Sequence, residues 1–143
     1  MYGIMEAQFS KYMKRAFTQP ESTGQYLLQQ LETRLDNVVY RLSFADSRRQ
    51  ARQLVTHGHF LVGNRKTDIP SYQVRPGDVI SWKESHKSKE YVKGMIIDLP
   101  KRPVPEWLDL DTENLKATVR RVPNDEELDS TIATRLIVEF YSR

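Results

Sequence analysis

The chain has 143 residues, enough for one ordinary domain or two small ones, and its 38% hydrophobic and 29% charged residues imply a modest core beneath a heavily charged surface. It has no cysteine, which excludes disulfides, cysteine-ligated zinc and thiol catalysis. Its net charge is only +3, no apolar run approaches the roughly 18 residues of a membrane span, and residues 1 to 30 lack a signal-peptide segment, so a soluble protein acting where it is made is expected, with no membrane partner.

Phe9, Tyr12, Met13, Ala16 and Phe17 recur at helical spacing, with Lys11, Lys14 and Arg15 between them. Pro20 to Gly24 is expected to break that helix. A further one resumes at Gln25 with Tyr26, Leu27, Leu28 and Leu31 and runs up to or into the next, so the first part reads as all-helical. From Leu35, the spacing of Val38, Val39 and Leu42 places one stripe of a helix against a core, with Arg41 off the stripe. Ser43 to Asp46 lacks helical periodicity. Ser47 followed by Gln50 is a capping-box pattern, in which the hydroxyl accepts from an unpaired first-turn amide, and it predicts a second helix starting there.

At roughly 100° per residue, Ala51, Leu54 and Val55 of that helix share one arc, and Arg48, Arg49 and Arg52 share its neighbour. Gly58 then suits a left-handed terminator, since glycine has no Cβ penalty at positive φ. Phe60-Leu61-Val62 and Lys66-Thr67-Asp68-Ile69 flank Gly63-Asn64, a two-residue loop that suits a type II′ hairpin turn with Arg65 and Lys66 beside it. Pro76-Gly77 predicts a type II turn leading into a strand over Val79 to Trp82. Beyond it, Lys83 to Lys93 is polar and basic, Met95-Ile96-Ile97 is apolar, and Pro100, Pro103 and Pro105 forbid regular structure, so this stretch reads as a connector. Leu115 to Val122 is strand-like and Leu136 to Tyr141 is β-rich in composition. Between Glu106 and Asp129 eight acidic residues oppose three basic ones, a patch expected to face away from any polyanion or towards a basic protein. There is no internal repeat, and the class is α+β.

The charge is concentrated. From Arg34 to Lys66, seven basic residues (Arg34, Arg41, Arg48, Arg49, Arg52, Arg65, Lys66) face two acidic ones, Asp36 and Asp46, which marks a polyanion footprint better than the overall balance does. Taken without context, a solvated helix flank explains the arginines equally well. His57-Gly58-His59 makes a poor metal site, having no cysteine and no acidic ligand nearby; His57 at a helix C-terminus better adds weak positive charge, or a structural cap. Tyr2, Tyr40, Tyr72 and Trp82 offer aromatic faces, of which Tyr40 is expected half-buried, Trp82 in the core and Tyr72 the most exposed. No nucleophile-and-base pair, Gly-rich phosphate loop or metal pattern stands out, so neither catalysis nor a cofactor is expected.

These runs, Arg34 to Leu42, Ser47 to Phe60 and Asp68 to Ile80, closely resemble the S-four RNA-binding fold, specifically the bacterial or organellar small ribosomal subunit protein four family. Tyr2-Gly3 with Gln8-Phe9, and the tail Leu136 to Arg143, resemble that family's flanks, so coverage is end to end. Members usually carry a further N-terminal extension, often basic and in some lineages with zinc-binding cysteines; a sequence starting at Met1 fits a trimmed form or a lineage without it. Gly63-Asn64 replaces the frequent Asn-Gly. The resemblance implies a helical region at 1–33, an S-four-type domain at 34–97 with two short helices on a small antiparallel sheet, and segments at 98–143 packing back on both. It implies a structural protein of a cytoplasmic or organellar ribosome that binds a multi-helix junction of small-subunit rRNA early in assembly, near the mRNA entry path. Small-subunit protein five, other ribosomal proteins and mRNA are the further partners implied. The candidate RNA-binding residues are Arg34, Arg41, Ser47, Arg48, Arg49, Arg52, His57, His59, Arg65, Lys66 and Tyr72, with Lys11, Lys14 and Arg15 on the first helix. Arg34-Leu35-Asp36 resembles a motif of pseudouridine synthases, but Asn37-Val38-Val39 follows where those enzymes need a threonine and glycine, and Asp36 at a helix start is explained by the helix dipole. An RNA-modifying enzyme fragment or a free-standing RNA-binding regulator is the contrasting reading.

Overall fold

The computed structural model describes residues 6–16, 23–124, 126–128 and 135. Two compact units emerge, Met1–Glu32 with Pro123–Arg143, and Thr33–Val122. In the first, helices α1 (Glu6–Ala16) and α2 (Thr23–Glu32) bury Phe9, Tyr12, Met13, Leu27, Leu28 and Leu31 together with Leu128. The predicted break at Pro20 to Gly24 ends sooner than expected, because Thr23 and Gly24 already belong to α2. Phe17, Tyr2-Gly3 and the β-rich stretch at Leu136 to Tyr141 lie outside the described residues.

The second unit is α+β. Helices α3 (Leu35–Arg41) and α4 (Arg48–Thr56) precede a sheet of β1 (Phe60–Val62), β2 (Arg65–Lys66), β3 (Val79–Trp82), β4 (Leu108–Asp111) and β5 (Lys116–Val119). Its order is β2-β1-β3-β5-β4, with every neighbouring pair antiparallel. The core joins Leu35, Val38, Val39 and Leu42 of α3 with Ala51 and Val55 of α4, and with Phe60, Ile80, Trp82, Ala117 and Val119 of the sheet. β4 and β5 belong here because β5 pairs with β3, Ile80 opposite Ala117, and covers a flank that β1 leaves open.

α3 does not continue α2. Thr33 and Arg34 leave the helical path, Arg34 bridges Gln73, and the loop before β3 supplies the acceptors that the first turn of α3 lacks: Leu35 N donates to Tyr72 O at 2.7 Å and Asp36 N to Pro70 O at 3.2 Å. Both α3 and α4 end in Schellman motifs. At α4, Gly58 takes φ +77°, Gly58 N donates to Val55 O and His59 N to Leu54 O, as the expected terminator requires. At α3 the left-handed residue is Ser43, φ +66°, with Ser43 N on Tyr40 O and Phe44 N on Val39 O; nothing in the residue type announces it.

The hairpin turn has Gly63 at φ +62° with Asn64 outside the positive-φ region, as a type II′ turn demands. β2 is shorter than expected and ends at Lys66, with Thr67 N adding one last bond to Phe60 O at 3.2 Å. Gly77 lies at φ +91° and Asp78 N reaches Arg75 O at 3.0 Å, so the Pro76-Gly77 turn is type II. The connector reading of residues 83 to 105 is corrected over its first half. A short 3-10 turn (Glu84–His86) and a helix α5 (Glu90–Ile97) form there, because Val92 and Met95, three residues apart, bury against the core.

Candidate nucleic-acid interface

α4 is positioned by its cap. Ser47 Oγ accepts from Gln50 N at 3.1 Å, while Gln50 Oε1 accepts from Asp46 N at 2.6 Å. The reciprocal bond reaches one residue further back than in the usual capping box. Ser47 therefore serves the helix start. With α4 so phased, Ala51 and Val55 face the core and Arg49 is exposed, while Arg49, Arg52, Gln53 and Thr56 line one shallow surface depression. Gln53 and Thr56 escaped the sequence reading because polar residues on a helix flank carry no signal of their own.

Arg48 is held differently. Its Nε donates to Asn37 Oδ1 at 3.0 Å and its guanidinium lies 4.6 Å from the centre of the Tyr40 ring, so the half-buried side chain ties α4 to α3. The Arg102 guanidinium lies over the same ring at 4.2 Å. Its Nη2 donates to Tyr40 O at 2.6 Å and Ala45 O at 2.7 Å, and its backbone N reaches Ser43 Oγ at 3.3 Å. A cation thus sits on the Tyr40 carbonyl at the C-terminal end of α3, where the helix dipole favours it, and on the Ala45 carbonyl of the loop beyond. Arg102 lies 54 positions beyond Arg48, in a proline-rich stretch without periodicity, and no local pattern reveals it.

At the other end of α4, Lys66 crosses Gly58: a Cβ there would stand 2.7 Å from Lys66 Cε. This brings β2 onto the helix C-terminus, with Arg65 and Lys66 exposed and His57 exposed beside them. Arg41 is half-buried. Lys11, Lys14 and Arg15 are exposed on α1, in the other unit.

Three expectations are corrected. Arg34 is 1% exposed and its Nη2 pairs with Asp36 Oδ2 at 3.1 Å, with Nε on Oδ1 at 3.1 Å; it is a buried structural ion pair that no RNA reaches in the folded protein. Asp36 also accepts from Asn37 N at 2.8 Å, which removes the enzyme reading of Arg34-Leu35-Asp36. Tyr72 is half-buried against the core and donates its hydroxyl to Asp78 Oδ2 at 3.1 Å; burial and then that bond raise its pKa, so it is a neutral structural phenol and no exposed stacking platform. His59 is no free surface cation. It packs edge-on against Trp82 and His86, and burial and then its cationic neighbours lower its pKa. Trp82, 1% exposed, is core as expected, and Tyr40 is half-buried as expected.

Of the acidic patch, Glu106, Asp109 and Glu113 are exposed, Asp109 pairs with Arg120 at 3.5 Å, and Asp111 folds the β4–β5 turn by accepting from Glu113 N and Asn114 N, both at 3.2 Å. Among the described residues no group of three or more potential ligands could hold a metal, and no helix is long and apolar enough to cross a membrane.

The S4 domain family matches residues 33–80. Small ribosomal subunit protein uS4 of Persephonella marina is 51% identical over 140 residues, covering 98% of this chain and 68% of that protein. The uS4 protein of Aquifex aeolicus is 50% identical over 143 residues, 99% of this chain and 68% of that one, and that of Thermodesulfovibrio yellowstonii is 48% identical over 143 residues, 100% and 69%.

Proposed function

The chain belongs to the bacterial small ribosomal subunit protein uS4 family, and from that membership we propose that it holds together a multi-helix junction of small-subunit rRNA. The family is one of structural, RNA-binding proteins of the small subunit and not of enzymes, and its members work in the cytoplasmic ribosome. The finer reading is that this chain joins early in assembly, sits near the mRNA entry path, and touches small-subunit protein five.

What supports the proposal is the shallow depression on α4 lined by the exposed Arg49 and the half-buried Arg52, together with the exposed Arg65 and Lys66 of the hairpin, where Lys66 lies against Gly58 at the end of that helix. Arginine suits a junction because its planar fork pairs with two phosphate oxygens at once and stacks on unpaired bases. Cations at fixed separation neutralise phosphates that repel as RNA helices converge, and a rigid scaffold fixes the angle between those helices. The two-unit architecture and its boundaries would let the helical region grip a different RNA segment from the α4 face.

Affinity for an rRNA fragment containing the junction, against an unstructured RNA of equal length at the same salt, tests this. Much tighter binding of the junction is expected. Equal affinity for the two would refute junction recognition.

A further inference from the structure

Lys66 is held in place by shape and not by a counter-charge. Its stem crosses Gly58 so closely that the glycine, between an exposed His57 and a half-buried His59, is itself buried, while Lys66 is exposed. The methylenes cover the glycine and leave the ammonium in water. Both sides of this contact are fixed. The hairpin register sets Lys66 opposite Leu61, and the bonds from Gly58 N to Val55 O at 2.9 Å and from His59 N to Leu54 O at 3.3 Å set the glycine. Among the described residues no carboxylate pairs with the Lys66 ammonium, whereas Arg34, Lys87, Lys101 and Arg120 each face one. Along α4, Arg49, Arg52, Gln53 and Thr56 follow the i, i+3, i+4, i+7 spacing of one flank, and Gly58 comes two residues later. At 1.5 Å per residue, Gly58 lies about 9 Å along the axis from Arg52 and about 14 Å from Arg49.

We propose that Gly58 is a positioning residue for RNA binding: having no Cβ, it seats Lys66 at the end of α4, where the ammonium takes an RNA backbone phosphate in line with those that Arg49 and Arg52 take. The inference rests on the RNA-binding reading above and names the residue that sets its last cation. Any side chain at Gly58 puts a Cβ 2.7 Å from Lys66 Cε and 3.2 Å from its Nζ. Cε is the far end of a flexible chain, so the lysine yields and not the backbone, and the ammonium leaves its place. Carbonyls at the helix C-terminus favour a cation there before RNA arrives. A cation placed in advance and free of a partner gives up less on binding than one that must first be ordered or leave a carboxylate.

The test is a double-variant cycle of binding by the full chain to the junction rRNA fragment over a salt series, with Gly58→Asn, Lys66→Met and both together. Asparagine tolerates positive φ, so it adds the Cβ with little backbone strain, and methionine keeps an apolar stem without the charge. Lys66→Met is expected to make the slope of log K against log salt shallower by about 0.7 to 0.9 and to weaken binding roughly fivefold at 0.1 M salt. Gly58→Asn is expected to lose most of the same slope and affinity when Lys66 is present, and nothing further in Lys66→Met. Equal losses in both backgrounds overturn the inference, because Gly58 then acts through the fold of α4 and not through Lys66. Wild-type affinity and slope in either single variant overturn it too, and leave RNA recognition by the arginines standing. Failure of the wild type to bind the junction at low salt overturns both. If Gly58→Asn does not fold, the wild type itself decides: a nuclear Overhauser contact between Gly58 Hα and Lys66 Hε is expected both free and RNA-bound, and its loss on binding overturns the inference.

Discussion

Arg102 caps a helix through the carbonyl of Tyr40 and stacks on the Tyr40 ring, with Nη2 at 2.6 Å from the oxygen and the guanidinium carbon 4.2 Å from the ring centre. One residue thereby closes the end of α3 and braces the ring on which Arg48 rests. Arg102→Ala is expected to lower the stability of the second unit by about 2 to 3 kcal/mol, since it removes charge-assisted bonds to two carbonyls. The midpoint of urea denaturation reads this, and Arg102→Lys, which keeps the charge without the fork, should fall between.

Asp36→Ala removes the carboxylate that faces Nε and Nη2 of the buried Arg34 guanidinium. Removing one partner of a buried pair costs about 3 to 5 kcal/mol, because the remaining charge has lost both water and counter-ion. Thermal unfolding should show a larger loss for this variant than for Arg102→Ala or Ser47→Ala. A loss below about 1 kcal/mol would mean that Arg34 finds water in the variant.

Ser47→Ala should destabilise by roughly 1 kcal/mol through loss of the Gln50 N–H bond. RNA affinity, measured where the variant is fully folded, should stay near the wild-type value. An unchanged denaturation midpoint together with weakened binding would move Ser47 from cap to RNA contact.

Arg49→Ala/Arg52→Ala should leave the fold intact, because alanine favours helix and the buried face of Ala51 and Val55 is untouched. If each arginine neutralises one phosphate, the slope of log K against log salt becomes shallower by about 1.4 to 1.8. Adding Arg48→Ala should weaken the fold as well, through the lost bond to Asn37. An unaltered salt slope in the folded double variant would place the RNA elsewhere, for instance on Lys11 and Lys14.

The free protein should lose stability in mild acid. The folded-state pKa values of His59 and His86 lie below the ordinary 6.5, so the unfolded chain binds protons more readily. Their contribution is complete above about pH 6.5 and is lost as pH falls below it. Denaturation midpoints between pH 7.5 and 5 should decline less in His59→Gln/His86→Gln than in the wild type, and parallel declines would assign the effect to carboxylates.

Local physics was enough to read the elements around the arginine face. The stripe from Leu35 to Leu42, the Ser47–Gln50 cap, Gly58 as a left-handed terminator, and the Gly63-Asn64 and Pro76-Gly77 turns depend on neighbours within a few residues, and all appear where the sequence places them. Charge at Arg49 and Arg52 was legible because helix phase alone sets which flank they share. What decided the rest was contact between residues far apart in the chain. Arg34 looked like one more surface cation until the fold buried it against Asp36, and Tyr72 looked exposed until the turn at Asp78 gave its hydroxyl a partner. α5 carries Tyr91, Val92, Met95, Ile96 and Ile97 on more than one side, so its pattern singles out no buried face, and it is Val92 and Met95 that meet a core built elsewhere. Arg102 and the His59–His86 pair owe their roles to separations of dozens of residues, which only chain closure can remove. Spacing within the chain determined which residues could share a face; burial and long-range pairing decided which of them the fold turned inward as structure and which it left towards solvent.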